Sequence, residues 1–136
     1  MGIAVIGTVA DLWENKMSEA AELKVLIVEP DQVLASSLRV AIRIVGFEAV
    51  VSADAESALK LLFGGARFHA ALVAYTQPRL SGVDFCAMSR SMDDPDNIRI
   101  VGMSSDHRVR EEMLGAGADD FLTKPFSMAR LRDALG

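Results

Sequence analysis

The chain has 136 residues, 51% hydrophobic and 24% charged, an ordinary composition for one globular domain and one that excludes global disorder. Its net charge of −5 argues against a general nucleic-acid binder, which needs a basic face, and no apolar run approaches the roughly 18 to 20 residues of a membrane helix. The one cysteine, Cys86, allows no internal disulfide and fits a reducing, cytoplasmic compartment.

The chain opens on "GIAVIGTVA". No Lys or Arg precedes this apolar stretch and no clear small-residue cleavage pattern follows, so it makes a poor signal peptide. "IAVIGT" has the first glycine of a dinucleotide-binding turn but lacks the second and third. A polar "SEAAELK" follows Met17. Residues 1–22 are therefore expected to be an extension outside a core domain that occupies 23–136.

The core begins with a strand candidate, "KVLIV" (24–28), which runs into Glu29, Pro30 and Asp31. Leu34, Leu38, Ala41, Ile42 and Val45 then recur at helical spacing, with Gly46 placed to end the helix. "FEAVV" (47–51) is a second strand. A second helix opens at Asp54, a good N-cap, and carries Ala58, Leu59, Leu61 and Leu62 before Gly64 and Gly65. "HAALVA" (69–74) is a third strand. The helix after Gly82 places Val83, Phe85 and Cys86, with Cys86 read as core packing and Asp84 as a solvated side chain, and it stops in "DDPDN". "IRIVGM" (98–103) precedes a helix from about Asp106 to Leu114. "DDFLT" (119–123) precedes a last helix from near Ser127, with Met128, Leu131 and Leu135 on one face.

Continuous apolar runs, rather than strict alternation, indicate strands covered on both faces. Five strand–helix units predict a doubly wound α/β sheet. Ligands in such folds sit beyond the carboxyl ends of the strands. Those ends carry Glu29-Pro30-Asp31, Ala74-Tyr75-Thr76, Ser104-Ser105 and Thr123-Lys124-Pro125. His69 and His107 are isolated in sequence and read as surface or capping residues.

From about 23 to 135 the chain resembles the receiver domain of two-component response regulators. The resemblance is carried, in order, by "LIVEPD", "YTQPRLSG" with Pro78 and Gly82, "VGMSS" and "GADDFLTKPF". It implies a single-domain, flavodoxin-like (βα)5 parallel sheet. It further implies an aspartate at the end of the third strand that accepts a phosphoryl group, and an acidic pair after the first strand that holds Mg²⁺. Ser104 and Lys124 match the residues that bind phosphoryl oxygens, Phe121 matches the switch aromatic, and the Lys124–Pro125 bond is expected to be cis.

The sequence departs from that pattern at two positions. The nucleophile's place, four residues before Pro78, is taken by Ala74, and no Asp or Glu occurs from 68 to 82. Pro30 takes the place of the second acidic residue. Two independent losses argue against a single engineered substitution at Ala74. The chain therefore reads as a degenerate pseudo-receiver with a vestigial phosphorylation pocket of Glu29, Pro30, Asp31, Ala74, Ser104, Lys124 and Pro125. No catalytic residue, metal ligand or Mg²⁺ cofactor is expected: Glu29 should pair with Lys124, and Asp31 should cap the first helix.

The function expected is a phosphorylation-independent protein-interaction module in signal transduction. The alternatives are an active phosphotransfer receiver with a non-standard acceptor, or a small-anion sensor between Lys124 and Ser104. The resemblance implies that a protein partner, or a second copy, uses the face made by the fourth helix, fifth strand and fifth helix. His107, Arg108, Arg110, Arg130 and Arg132 would give that face a mildly basic patch. No membrane and no direct nucleic-acid contact is expected.

Overall fold

In strand β1 (Lys24–Val28), Val25, Leu26, Ile27 and Val28 are all 0% exposed, because β1 is covered on both faces. Val25 and Ile27 enter one hydrophobic core, while Leu26 and Val28 enter a second on the other side of the sheet. That double covering is the physical reason for an unbroken apolar run where a one-sided strand would alternate. The computed structural model describes residues 8–10, 23–92 and 97–136. Most of the expected extension over 1–22, and most of the "DDPDN" stop, lie outside those residues.

The elements after β1 are α1 (Gln32–Val45), β2 (Glu48–Ser52), α2 (Ala55–Phe63), β3 (Ala70–Ala74) and α3 (Gly82–Arg90). Then follow β4 (Arg99–Ser104), α4 (Arg110–Ala116), β5 (Asp120–Thr123) and α5 (Met128–Leu135). The five strands pair in parallel in the order β2-β1-β3-β4-β5. This is the flavodoxin-like (βα)5 sheet expected from the sequence. Leu38 and Ile42 of α1 and Leu131 and Leu135 of α5 close the first core; Leu59, Phe85 and Met113 from α2, α3 and α4 close the second. Cys86 is 0% exposed in that second core, where burial pushes its thiol up to about 11.

The helix ends follow local chemistry. Asp31 accepts from the Val33 and Leu34 amides, Asp54 from Ser57, and Gly46 ends α1 at φ 113, a left-handed position. Asp84 is exposed, as expected, and in addition closes a capping box, accepting from the Ser81 amide while the Ser81 hydroxyl accepts from its own. Ser81, one residue before Gly82, is thus the real start signal of α3. The helix expected from Asp106 begins as a 3-10 turn, His107–Val109, because Asp106 caps the near amide of Arg108 and tightens the chain. His69 is half-buried and meets a helix end, the capping role among the two expected of it. Its Nε2 lies 2.7 Å from the Leu135 carbonyl and its ring stacks on Phe47 with centroids 5.0 Å apart, so it ties β3 to the end of α5.

Gly82 sits against the carboxyl end of β3. Its amide donates to the Tyr75 carbonyl at 2.9 Å, and a Cβ added there would stand 2.5 Å from the Ala74 oxygen and 2.9 Å from Tyr75 Cα. Both are backbone atoms, so relief requires moving β3 or α3. Gly82→Ala should therefore lower stability by about 1–3 kcal/mol, read from the urea midpoint at unchanged slope.

Candidate functional site

β1 brings Glu29 out at the carboxyl edge of the sheet, immediately after four dry residues. Its side chain is only 4% exposed, and a buried carboxylate is stable there only if it is paired. The partner comes from the other end of the sheet. Lys124, just past β5, donates from Nζ to Glu29 Oε1 at 2.7 Å, and the Asp31 amide donates to Glu29 Oε2 at 3.3 Å. The ion pair expected from the sequence is thus present in the structure. Lys124 is held in turn by its amide, which donates to the Ser104 carbonyl at 2.9 Å, and by the cis Lys124–Pro125 bond.

The pair arches over the ends of β3 and β4, which lie between β1 and β5 in the sheet. Ala74, 3% exposed, is the last residue of β3, and a methyl group offers Lys124 no competing acceptor. Glu29, Pro30, Ala74, Tyr75, Ser104 and Lys124 line a shallow cleft of about 290 Å³. Pro30 brings no carboxylate. Asp31 spends one oxygen on the α1 amides, and Ser104 Oγ accepts from the Asp106 amide at 3.1 Å. Among the described residues, no group of three or more His, Cys, Asp or Glu converges as a metal site.

Two contacts were not legible in the sequence. Gln77 Nε2 donates at 2.9 Å to both the Val28 and Ala74 carbonyls, stapling the ends of β1 and β3 beneath the cleft. Its partner in β1 lies 49 residues away, so no local pattern announces it. The Tyr75 hydroxyl donates to Glu112 Oε2 at 3.0 Å, joining the β3 end to α4; that hydrogen bond is the main reason the phenol sits above its ordinary pKa. Phe121 is 3% exposed and packs in the second core, close to Met113.

Three of the five basic residues named for the face of α4, β5 and α5 have local partners. Arg108 pairs with Asp106 at 2.9 Å, Arg110 with Glu111 at 3.0 Å and Arg130 with Asp120 at 2.8 Å. Each of these three guanidiniums meets a carboxylate of its own neighbourhood. Arg130 holds the Asp120 carboxyl below its ordinary value of 3.8.

A five-stranded parallel sheet with an acidic residue after β1, a hydroxyl after β4 and a lysine–cis-proline step after β5 defines the receiver class of signalling domains. The family profile of the response regulator receiver domain matches residues 25–136, and the chain belongs to that family. Response regulator MprA of Mycolicibacterium vanbaalenii is 32% identical over 111 residues, covering 80% of this chain and 47% of that protein. Transcriptional regulatory protein PrrA of Mycobacterium bovis is 33% identical over 108 residues, covering 79% and 46%. The chain spans about half the length of these relatives. Among solved structures, a response regulator from Chloroflexus aurantiacus matches with a TM-score of 0.75 at 25% identity, covering 84% of this chain and 98% of that one. The receiver domain of a Pseudomonas aeruginosa sensor histidine kinase, solved with magnesium in its active-site cleft, matches with a TM-score of 0.75 at 26% identity, covering 84% and 94%.

Two measurements test this geometry. Lys124→Met and Glu29→Gln should each cost about 1–3 kcal/mol, and the double variant should recover part of that, a coupling of about 0.5 kcal/mol or more in urea unfolding. Strictly additive losses would mean the pair contributes nothing. Second, because the Asp120 carboxyl is lowered in the folded state, its contribution to stability is complete above the ordinary value of 3.8 and is lost as pH falls through the folded one. Arg130→Gln should raise the Asp120 midpoint in an NMR titration; an unmoved midpoint would remove Arg130 as the cause.

Proposed function

We propose that this receiver domain signals through protein contact without phosphorylation of an aspartate, as a pseudo-receiver. The observation that carries this reading is the end of β3. Ala74 stands where the family's pattern puts the phosphoacceptor, and a methyl group cannot attack a phosphoryl phosphorus or form an acyl phosphate.

The rest of the cleft supports it. The family's magnesium needs several oxygen ligands in near-octahedral array. Here Pro30 supplies none from its side chain, Ala74 supplies none, and the Glu29 carboxylate is occupied by Lys124 and the Asp31 amide. The residues present do not fit the ion, and no step of the function runs through it. The lysine that would meet a phosphoryl oxygen is already neutralised by Glu29. In this reading the pocket Glu29, Pro30, Asp31, Ala74, Ser104, Lys124 and Pro125 is vestigial as a reaction site and serves to lock the carboxyl edge of the sheet.

The partner surface we assign is the face of α4, β5 and α5. Its balanced arginine–carboxylate pairs favour a protein surface of mixed charge over a polyanion. Tyr75, bonded to Glu112 of α4, is the physical link between that face and the cleft.

Incubation with acetyl phosphate and Mg²⁺ should leave the intact mass unchanged, and calorimetry should find no micromolar Mg²⁺ binding. The variant Ala74→Asp with Pro30→Asp restores both missing carboxylates and should gain one phosphoryl group under the same conditions. A phosphoryl group mapped to any Asp of the unaltered chain would overturn the reading in favour of a non-standard acceptor.

A further inference from the structure

The first core stops short of the surface between α1 and α5. Leu34, Leu38 and Ala41 on one side and Phe126, Met128 and Leu131 on the other border an open groove of about 410 Å³, within the roughly 300–1,000 Å³ of small-molecule sites. Leu34 to Ala41 gives it a length of about 10 Å at ~1.5 Å per helical residue. α1 follows β1 and α5 follows β5, so both helices start at the carboxyl edge of the sheet and the groove has two unlike ends. Ser105, Lys124 and Ser127, from the segments after β4 and β5, stand at the carboxyl-edge end, and apolar side chains line the rest. Ser37 is the polar side chain further along, and its hydroxyl donates to the Val33 carbonyl within α1.

The donors at the polar end have capacity left. The Lys124 ammonium carries three protons, and Glu29 Oε1 takes one. The Ser127 hydroxyl accepts from the Arg130 amide, which leaves its own proton to donate, and Ser105 is exposed. No carboxylate lines the groove. The charge around it has one sign. Arg39 and Arg43 of α1 and Arg132 of α5 have no acceptor among the described residues, whereas every other described arginine has a partner within the fold. Arg132 follows Met128 by one helical turn, which puts it on the groove side of α5. A second copy of this surface would bring like charges together, while an anion is drawn to it.

An apolar trough with hydrogen-bond donors at one end fits a molecule with a head and a tail. We propose that the groove binds a small amphiphilic carboxylate of the medium-chain fatty-acid class. Its chain lies between Leu34, Leu38 and Ala41 on one wall and Phe126, Met128 and Leu131 on the other. Its carboxylate accepts from the remaining Lys124 protons and from the Ser105 and Ser127 hydroxyls. The site adjoins the cleft over Ala74 and shares Ser105 and Lys124 with it, but takes its ligand on the α5 side.

Decanoate, kept below its micellar concentration, is the probe. Added to the isotope-labelled full chain, it should produce saturable NMR shifts at Ser37, Ala41, Ser105 and the first turn of α5. Decanol, the same chain with an uncharged head, should bind several-fold more weakly. Ala41→Phe fills the trough and should remove the binding of both. Ser105→Asp sets a carboxylate at the head and should weaken decanoate several-fold while leaving decanol unchanged. Circular dichroism checks the fold of Ala41→Phe, and Ser105→Asp, at an exposed position, carries the test alone if that variant is perturbed. Shifts that do not saturate, that spread over the other helices, or that persist unchanged in both variants would overturn the proposal. So would equal binding of decanol, which would leave the groove without a carboxylate site. Light scattering that finds a dimer unaffected by decanoate, with Ala41→Phe monomeric, would also overturn it and assign the groove to a second copy.

Discussion

The structure depends on the demand that the central strands stay dry on both faces. β1 and β3 are covered from above and below, so the first polar side chain after β1 emerges at the carboxyl edge with little water to stabilise it. Glu29 is that side chain. An unpaired carboxylate at such depth would be costly enough to protonate or to pull the edge apart. Lys124 prevents both, and it can do so because the strand order puts only the small ends of β3 and β4 between them.

That arrangement links the side chain at the end of β3 to the pairing of Lys124. An aspartate at the end of β3 would offer the ammonium a second carboxylate and divide its charge between two partners. With Ala74 there, a single carboxylate faces a single ammonium. Gln77 completes the edge from below by taking the last carbonyls of β1 and β3, groups that a parallel sheet leaves for loops or ligands to satisfy. The carboxyl edge is therefore closed by the protein's own hydrogen bonds, and the cleft above it is shallow.

The surface behaves by the same logic of local satisfaction. Arg108, Arg110 and Arg130 look basic when counted along the chain, yet these three fold back on carboxylates one to ten residues away. Exposed pairs of this kind contribute little to stability, about 0–1 kcal/mol each, but they set the electrostatic character a partner meets. The exposed apolar side chains of α1, Val33, Val40 and Ile44, are the exception to that pattern.

The sequence by itself determined the elements and the fold class, because both depend on local rules. Apolar runs at 24–28, 69–74 and 98–103 read as strands covered on two sides, and Asp31, Asp54 and Gly46 mark helix ends through hydrogen bonds to their own neighbours. It also placed Glu29 and Lys124 at strand ends, and the family pattern made their meeting legible. The tertiary structure alone decided what long-range geometry controls: the amide of Gln77 on carbonyls of two strands, the tyrosine of β3 on α4, and His69 on the last turn of α5. In each case the deciding contact joins residues whose separation along the chain carries no periodic signal, so only the folded sheet could bring them together.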